Sequence, residues 1–179
     1  MAHKQQKNFF ESVRKLHPSH FENCSVLDIG SLDINGNNTY LFTDCTYIGV
    51  DIGEGKNVDI VGVFHEIEFY EQFDTIISAE CFEHDKFYKK TIKTAINTLS
   101  KGGLFVFSCA TTGRKEHGTR RTSPEDSPFT VMDRDWCDYY KNITEFDIRQ
   151  IIDIEKEFSD FCFSIDKTHC DLYFWGIKK

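Results

Sequence analysis

The feature that most constrains the fold is Ser25–Ile29, a short apolar run that enters Gly30 and then the Asn- and Gly-rich residues 31–37. It reads as a buried strand ending in a turn. A second such strand, Tyr47-Ile-Gly-Val-Asp51, ends on a carboxylate about 23 residues after Asp28. This layout suits a nucleoside ligand: glycine lets the backbone approach closely, and a carboxylate at the second strand end can accept both ribose hydroxyls. The turn is not G-x-G-x-x-G, because Leu32 stands where the second glycine would be. A dinucleotide with a pyrophosphate to seat is therefore not expected, which argues against a nicotinamide oxidoreductase. The loop holds Asp28 and Asp33 and no lysine, which suits a cationic nucleoside.

The other elements alternate. Residues 5–17 carry Phe9, Phe10, Val13 and Leu16 at helical spacing, and Pro18 stops them. Short strands are expected at 58–61, 73–79 and 104–109. A helix is expected over 86–99, with Gly102-Gly103 at its stop. Residues 110–135 have no clear period and are the longest irregular stretch, which marks them as an active-site loop. Thr144-Glu-Phe-Asp147 reads as a capped helix start leading to Ile152. Residues 158–165 and 171–177 read as an antiparallel hairpin. Together these predict one α/β domain over 1–179, with a helical segment at 1–22. The expected architecture is a three-layer Rossmann-like sandwich whose mostly parallel sheet carries ligands at the carboxyl ends of its strands. Asp28, Asp51, Glu80 and Ala110 all fall at or just past such ends.

Composition narrows the class. The 179 residues include 17 Phe and carry a formal net charge of −8, so an electrostatic nucleic-acid partner is not expected. No run approaches the roughly 20 apolar residues that span a bilayer. The polar stretch 1–22 does not resemble a secretory leader. Seven cysteines are scattered without a C-x-x-C pair, which reads as reduced, mostly buried thiols in a cytoplasmic protein. No metal site is expected: His17 with His20 and Cys81 with His84 lack a second pair, and structural zinc usually takes four ligands in such pairs.

With these motifs in order, the chain resembles a class I S-adenosylmethionine-dependent methyltransferase of the small type-11-like group, over nearly its full length. Val26-Leu-Asp-Ile-Gly30 is similar to the first motif of that family and Gly49-Val-Asp51 to the second. Val58-Asp-Ile-Val-Gly62 with Phe64-His-Glu66 resembles the third region. Residues 73–84 resemble the fourth, and Leu99-Ser-Lys-Gly-Gly-Leu104 the stretch before the fifth strand. The resemblance implies a seven-stranded sheet with the last strand antiparallel. It implies that Gly30 and Ser31 line the methionine moiety of the cofactor, that Asp51 holds the ribose with Ile52 beside the adenine, and that Val63 and Phe64 flank that ring. Glu80 and Cys81 would close over the cofactor. Two departures stand out: Leu32 replaces a glycine, and Val63 stands where many relatives carry an acid.

Asp28 either contacts the amino group of the cofactor, directly or through water, or organises the loop. Gly113-Arg-Lys-Glu-His-Gly-Thr-Arg-Arg121 is a basic run inside an acidic chain. Such runs are usually solvated surface, but this one leaves the predicted active edge. Arg114, Arg120 and Arg121 are therefore expected to bind the acceptor, an anionic group being compatible with them. His117 and His84 are the candidate general bases for a hydroxyl acceptor. Two classes follow: an enzyme that methylates a small molecule, or a non-catalytic protein that keeps the cofactor pocket as a binding or scaffolding module. Specificity would come from the N-terminal helix and residues 110–135, with an oligomer partner as a third source.

Overall fold

The structure is a computed structural model that describes residues 4–179; the first three residues of the expected 1–22 segment lie outside them. Seven strands form one sheet in the order β3-β2-β1-β4-β5-β7-β6. They are β1 (Ser25–Ile29), β2 (Thr46–Asp51), β3 (Ile60–Val61), β4 (Phe73–Ala79), β5 (Leu99–Ala110), β6 (Phe158–Asp166) and β7 (Asp171–Lys178). Strands β1 to β5 pair in parallel, and β7 runs antiparallel between β5 and β6. The last strand is thus the one reversed, as expected from a tight hairpin closing a parallel sheet.

Alternation along the strands creates two cores, because successive side chains leave a strand on opposite faces. Val26, Ile77, Leu104 and Val106 pack with Phe10 and Val13 of helix α1 (Lys4–Leu16) and with Phe21. Leu27, Ile29, Ile76, Phe105, Phe107 and Phe174 pack on the other face. There they meet Ile92, Ala95 and Ile96 of helix α2 (Tyr88–Thr98), Ile148 of α3 (Glu145–Arg149) and Ile154 of α4 (Ile154–Glu157). The result is a three-layer α/β sandwich. Phe9 of α1 also stacks on Tyr173 at 4.5 Å between ring centroids. Thr144 and Asp147 form the expected reciprocal cap at the start of α3.

One boundary differs from expectation. Helix α2 stops at Thr98, and Leu99 is already extended and paired with Phe73. Gly102 is not a helix stop. With φ +77 it lies inside β5, where the ladder slips so that Phe73 faces Leu99 but Thr75 faces Leu104. The sequence shows a Gly pair but not which of two irregularities it serves; here it absorbs a bulge. Residues 153–157, which carry no expected element, form α4 with Asp153 capping Lys156. Among the described residues no helix is long and apolar enough to cross a membrane.

Candidate active site

The carboxyl ends of β1, β2 and β4 open into a single cleft lined by Asp28, Gly30, Ser31, Asp51, Ile52, Val63, Phe64, Glu80 and Cys81. The eight residues assigned to the cofactor by resemblance, and Asp28 with them, therefore face one space, although they come from four separate segments. Ala110 does not line it.

Each wall has a local cause. Gly30 sits at φ +74, and a Cβ there would lie 2.5 Å from the Cys81 sulfur, so both backbone conformation and packing require glycine. Its amide and that of Ser31 donate to Val50 carbonyl oxygen at 2.9 and 3.1 Å. The longer loop that follows is built around Asp33. Its carboxylate accepts from the Gly36 amide and the Asn37 side chain, each at 2.8 Å, and pairs with Lys56 at 2.6 Å. These donors hold the Asp33 carboxyl down at about 2. Asp33 thus shapes the loop, and its charge is already matched by Lys56.

Asp51 is half-buried at the end of β2 and accepts from the Leu32 amide at 3.2 Å. Burial raises its pKa, while the amides of Leu32, Gly53 and Ile52 oppose that rise. Asp28 is buried and accepts from the Tyr47 hydroxyl and, at 3.4 Å, from the Asn38 side-chain Nδ2. Burial nevertheless holds its carboxyl up at about 6. Glu80 occupies the left-handed region at φ 53, an uncommon conformation for a residue with a side chain. Its backbone amide and its carboxylate are both fixed by Ser108, through the carbonyl and the hydroxyl, each at 3.0 Å. Burial and neighbouring Asp171 push its carboxyl up.

The irregular segment after β5 returns over the cleft. Arg114, His117, Asp126, Ser127, Pro128, Phe129, Thr130 and Trp136 line it. The Phe129 ring lies against Gly53, just beyond Asp51, and Gly118 lies against the His84 ring. The same segment therefore reaches both ends of the cleft. The Trp136 indole N–H donates to the His84 carbonyl, and the Lys141 amide donates to that of Glu83 at 2.9 Å.

The basic run divides. Arg114 lines the cleft, but its guanidinium donates to Asp171 at 3.0 Å and to the His169 carbonyl at 2.8 Å, and stands 4.0 Å from Glu80. Arg120 and Arg121 are exposed, paired with Asp138 at 2.7 Å and Glu116 at 3.1 Å, and do not line the cleft. Helix α1 contributes nothing to the lining either; it covers the opposite core.

His84 and His117 do come together, with ring centroids 4.8 Å apart, and Tyr140 packs on both. Burial lowers the pKa of both imidazoles, that of His84 to about 3. Glu83 is fully buried beside them. Its donor atom and those of the two histidines all lie within 4.8 Å of one another. Ligand pairing along the sequence does not reveal this group, because His117 arrives from a different loop. Phe129, Trp136 and Tyr140 were also not singled out from sequence. The available signal was an aromatic-rich patch, Trp136-Cys-Asp-Tyr-Tyr140, in an otherwise aperiodic stretch.

A family model described as a methyltransferase domain matches residues 1–157. The chain belongs to that methyltransferase family. Its family and fold are those of class I S-adenosylmethionine-dependent methyltransferases. Similar solved structures include the 1,6-didemethyltoxoflavin-N1-methyltransferase of Burkholderia thailandensis, crystallised with 1,6-didemethyltoxoflavin and S-adenosylhomocysteine. It is 14% identical with a TM-score of 0.64, over 95% of this chain and 76% of that one. The N-methyltransferase NodS of Bradyrhizobium japonicum is 14% identical with a TM-score of 0.58, over 97% of this chain and 96% of that one. Magnesium protoporphyrin IX methyltransferase of Synechocystis, with bound S-adenosylmethionine, is 12% identical with a TM-score of 0.62, over 97% and 80%. No curated protein matches the chain in sequence.

Proposed function

We propose that this methyltransferase carries S-adenosylmethionine along the β1-β2-β4 edge and transfers its methyl group to a small molecule held under the segment that follows β5. The observation that carries the reading is the convergence of Gly30, Asp51, Phe64 and Glu80 on one cleft that also receives His84 and His117. In this reading Asp51 accepts the ribose hydroxyls. Ile52, Val63 and Phe64 flank the adenine, Gly30 and Ser31 run beside the methionine moiety, and Glu80 and Cys81 close the sulfur end.

Methyl transfer from a sulfonium is an in-line displacement with a good leaving group. Most of the rate enhancement can come from aligning acceptor, methyl and sulfur, for which effective molarities of about 10⁵ M or more are available. For a hydroxyl acceptor, His117 on the returning segment is the better placed base, since burial weakens His84 further. In this reading an anionic acceptor is not favoured. Among the described residues Arg114 is the one guanidinium that lines the cleft, and it is already matched by Asp171 and Glu80. Calorimetry with S-adenosylmethionine and S-adenosylhomocysteine, followed by turnover against a panel of small hydroxyl and amine metabolites, tests the proposal. Absence of binding heat with folded protein rejects the cofactor assignment. Binding without turnover across the panel favours the non-catalytic module.

Two smaller predictions follow from the placements. Arg120→Ala and Arg121→Ala should leave affinity for S-adenosylhomocysteine unchanged, because exposed ion pairs outside the cleft contribute little. A fall comparable to that of an Asp51 variant would place the basic run at the cofactor. Asp28 gives a pH signature. Below about 6 its carboxyl is protonated, and above that it is ionised. If it faces the ammonium of the cofactor, affinity rises as pH passes through this value, and Asp28→Asn removes the rise. An equal slope in wild type and variant assigns Asp28 to holding the loop through Tyr47 and Asn38.

A further inference from the structure

Glu83, His84 and His117 form a group the cofactor reading leaves largely unused. Both Glu83 carboxylate oxygens, His84 Nδ1 and the Tyr140 hydroxyl are buried and make no hydrogen bond of normal geometry among the described residues. Burial disfavours the Glu83 anion, and the amides of Glu83 and Ala110 and the nearby Arg114 charge oppose that only in part. Unsatisfied buried polar atoms are rare, and several around one point call for a ligand. Glu83 is 0% exposed and His84 6%, so bulk solvent does not satisfy them.

We propose that these three residues hold a divalent first-row transition metal ion at the acceptor end of the cleft. Two imidazoles and one carboxylate are a donor set suited to manganese, iron, cobalt or zinc, and three protein ligands leave positions for water or a bound molecule. Donors at about 2.1 Å from an ion stand up to ~4.2 Å apart across it. The three donor atoms lie within 4.8 Å of one another, so binding an ion would draw them together. The outer contacts also fit. His117 Nδ1 lies 3.1 Å from the Lys115 carbonyl, the arrangement that leaves Nε2 with a free lone pair for a metal. The Trp136 indole and the Lys141 amide fix the backbone of His84 and Glu83. The ion would be reached from the cleft, since His84 and His117 both line it.

This deepens the proposed function, on which its role in catalysis rests: the ion would orient an oxygen-bearing acceptor against the methyl group. With both imidazoles bound to the ion, neither serves as the base: the acceptor hydroxyl releases its proton to solvent and its oxygen bonds to the methyl carbon. The carbon–sulfur bond breaks with its electron pair left on sulfur, giving the methyl ether and S-adenosylhomocysteine.

The test is metal binding by the full chain, without turnover. Metal-free protein is dialysed to equilibrium against Mn²⁺, and separately titrated with Co²⁺ while the visible spectrum is recorded. One ion per chain is expected, with a cobalt spectrum lacking sulfur-to-metal charge transfer. Glu83→Gln and His117→Gln, shown to be folded by circular dichroism, should each weaken binding by at least about tenfold. Uptake of neither ion, wild-type affinity in both variants, or a thiolate spectrum that assigns the ion to a cysteine overturns the proposal. S-adenosylhomocysteine is titrated into wild-type protein as a separate arm. Site-specific metal uptake without cofactor binding would keep the metal site and remove its role in methyl transfer.

Discussion

Asp51→Ala is expected to weaken both S-adenosylmethionine and S-adenosylhomocysteine by about 2–3 kcal/mol, since hydrogen bonds to a charged group are the stronger kind. That loss is roughly 30- to 150-fold in Kd. The Leu32 amide at 3.2 Å, together with the Ile52 and Gly53 amides, supports the ionised carboxylate against the burial that opposes it. In the proposed reading the carboxylate that accepts the ribose hydroxyls is therefore set before ligand arrives, and little ordering cost falls on binding. Asp51→Asn keeps the shape and loses the charge, so it should fall between wild type and alanine. Calorimetry on the three proteins decides the matter: an alanine variant that binds like wild type would remove Asp51 from the cofactor site.

Arg114→Ala should cost about 3–5 kcal/mol of stability, the usual result of removing one partner from a buried charge group. Its guanidinium ties the segment leaving β5 to the first residue of β7, through Asp171 at 3.0 Å, and faces Glu80 at the end of β4. Asp171 is fully buried, so without the guanidinium its carboxylate loses a nearby cation that solvent does not replace. Protonation of neighbouring Glu80 can relieve part of this. Glu80 is already pushed up by burial and by Asp171, and losing Arg114 pushes it further. The deficit should accordingly shrink as pH falls and grow as pH rises. Urea denaturation of wild type and variant across pH measures it. A variant as stable as wild type at every pH would show that the arginine is free for the acceptor, as the sequence suggested.

Sequence alone determined the architecture and the sheet edge at which the cleft opens. Apolar runs at 25–29 and 73–79 have the period and length of buried strands, and each ends at the residue that lines the cleft. Such information is local, because a strand, its turn and its terminal carboxylate are contiguous. The cap of Thr144 and Asp147 and the hairpin of β6 and β7 were legible for the same reason.

What the tertiary structure decided concerns pairings across long separations. Gly102 could serve a helix end or a strand bulge, and only the register of β4 on β5 assigns it to the bulge. Three arginines in one run looked alike, yet Arg114 turns inward to Asp171, 57 residues away, while Arg120 and Arg121 turn out to Asp138 and Glu116. The acidity of the first loop suggested a cation site, whereas Asp33 is neutralised by Lys56. The grouping of Glu83, His84, His117 and Tyr140 depends on an irregular segment folding back over the sheet, and a segment without period carries no local signal of where it returns. Chain proximity sets turns, caps and strand ends; burial and charge compensation between distant segments set which side chains meet beneath the segment that follows β5.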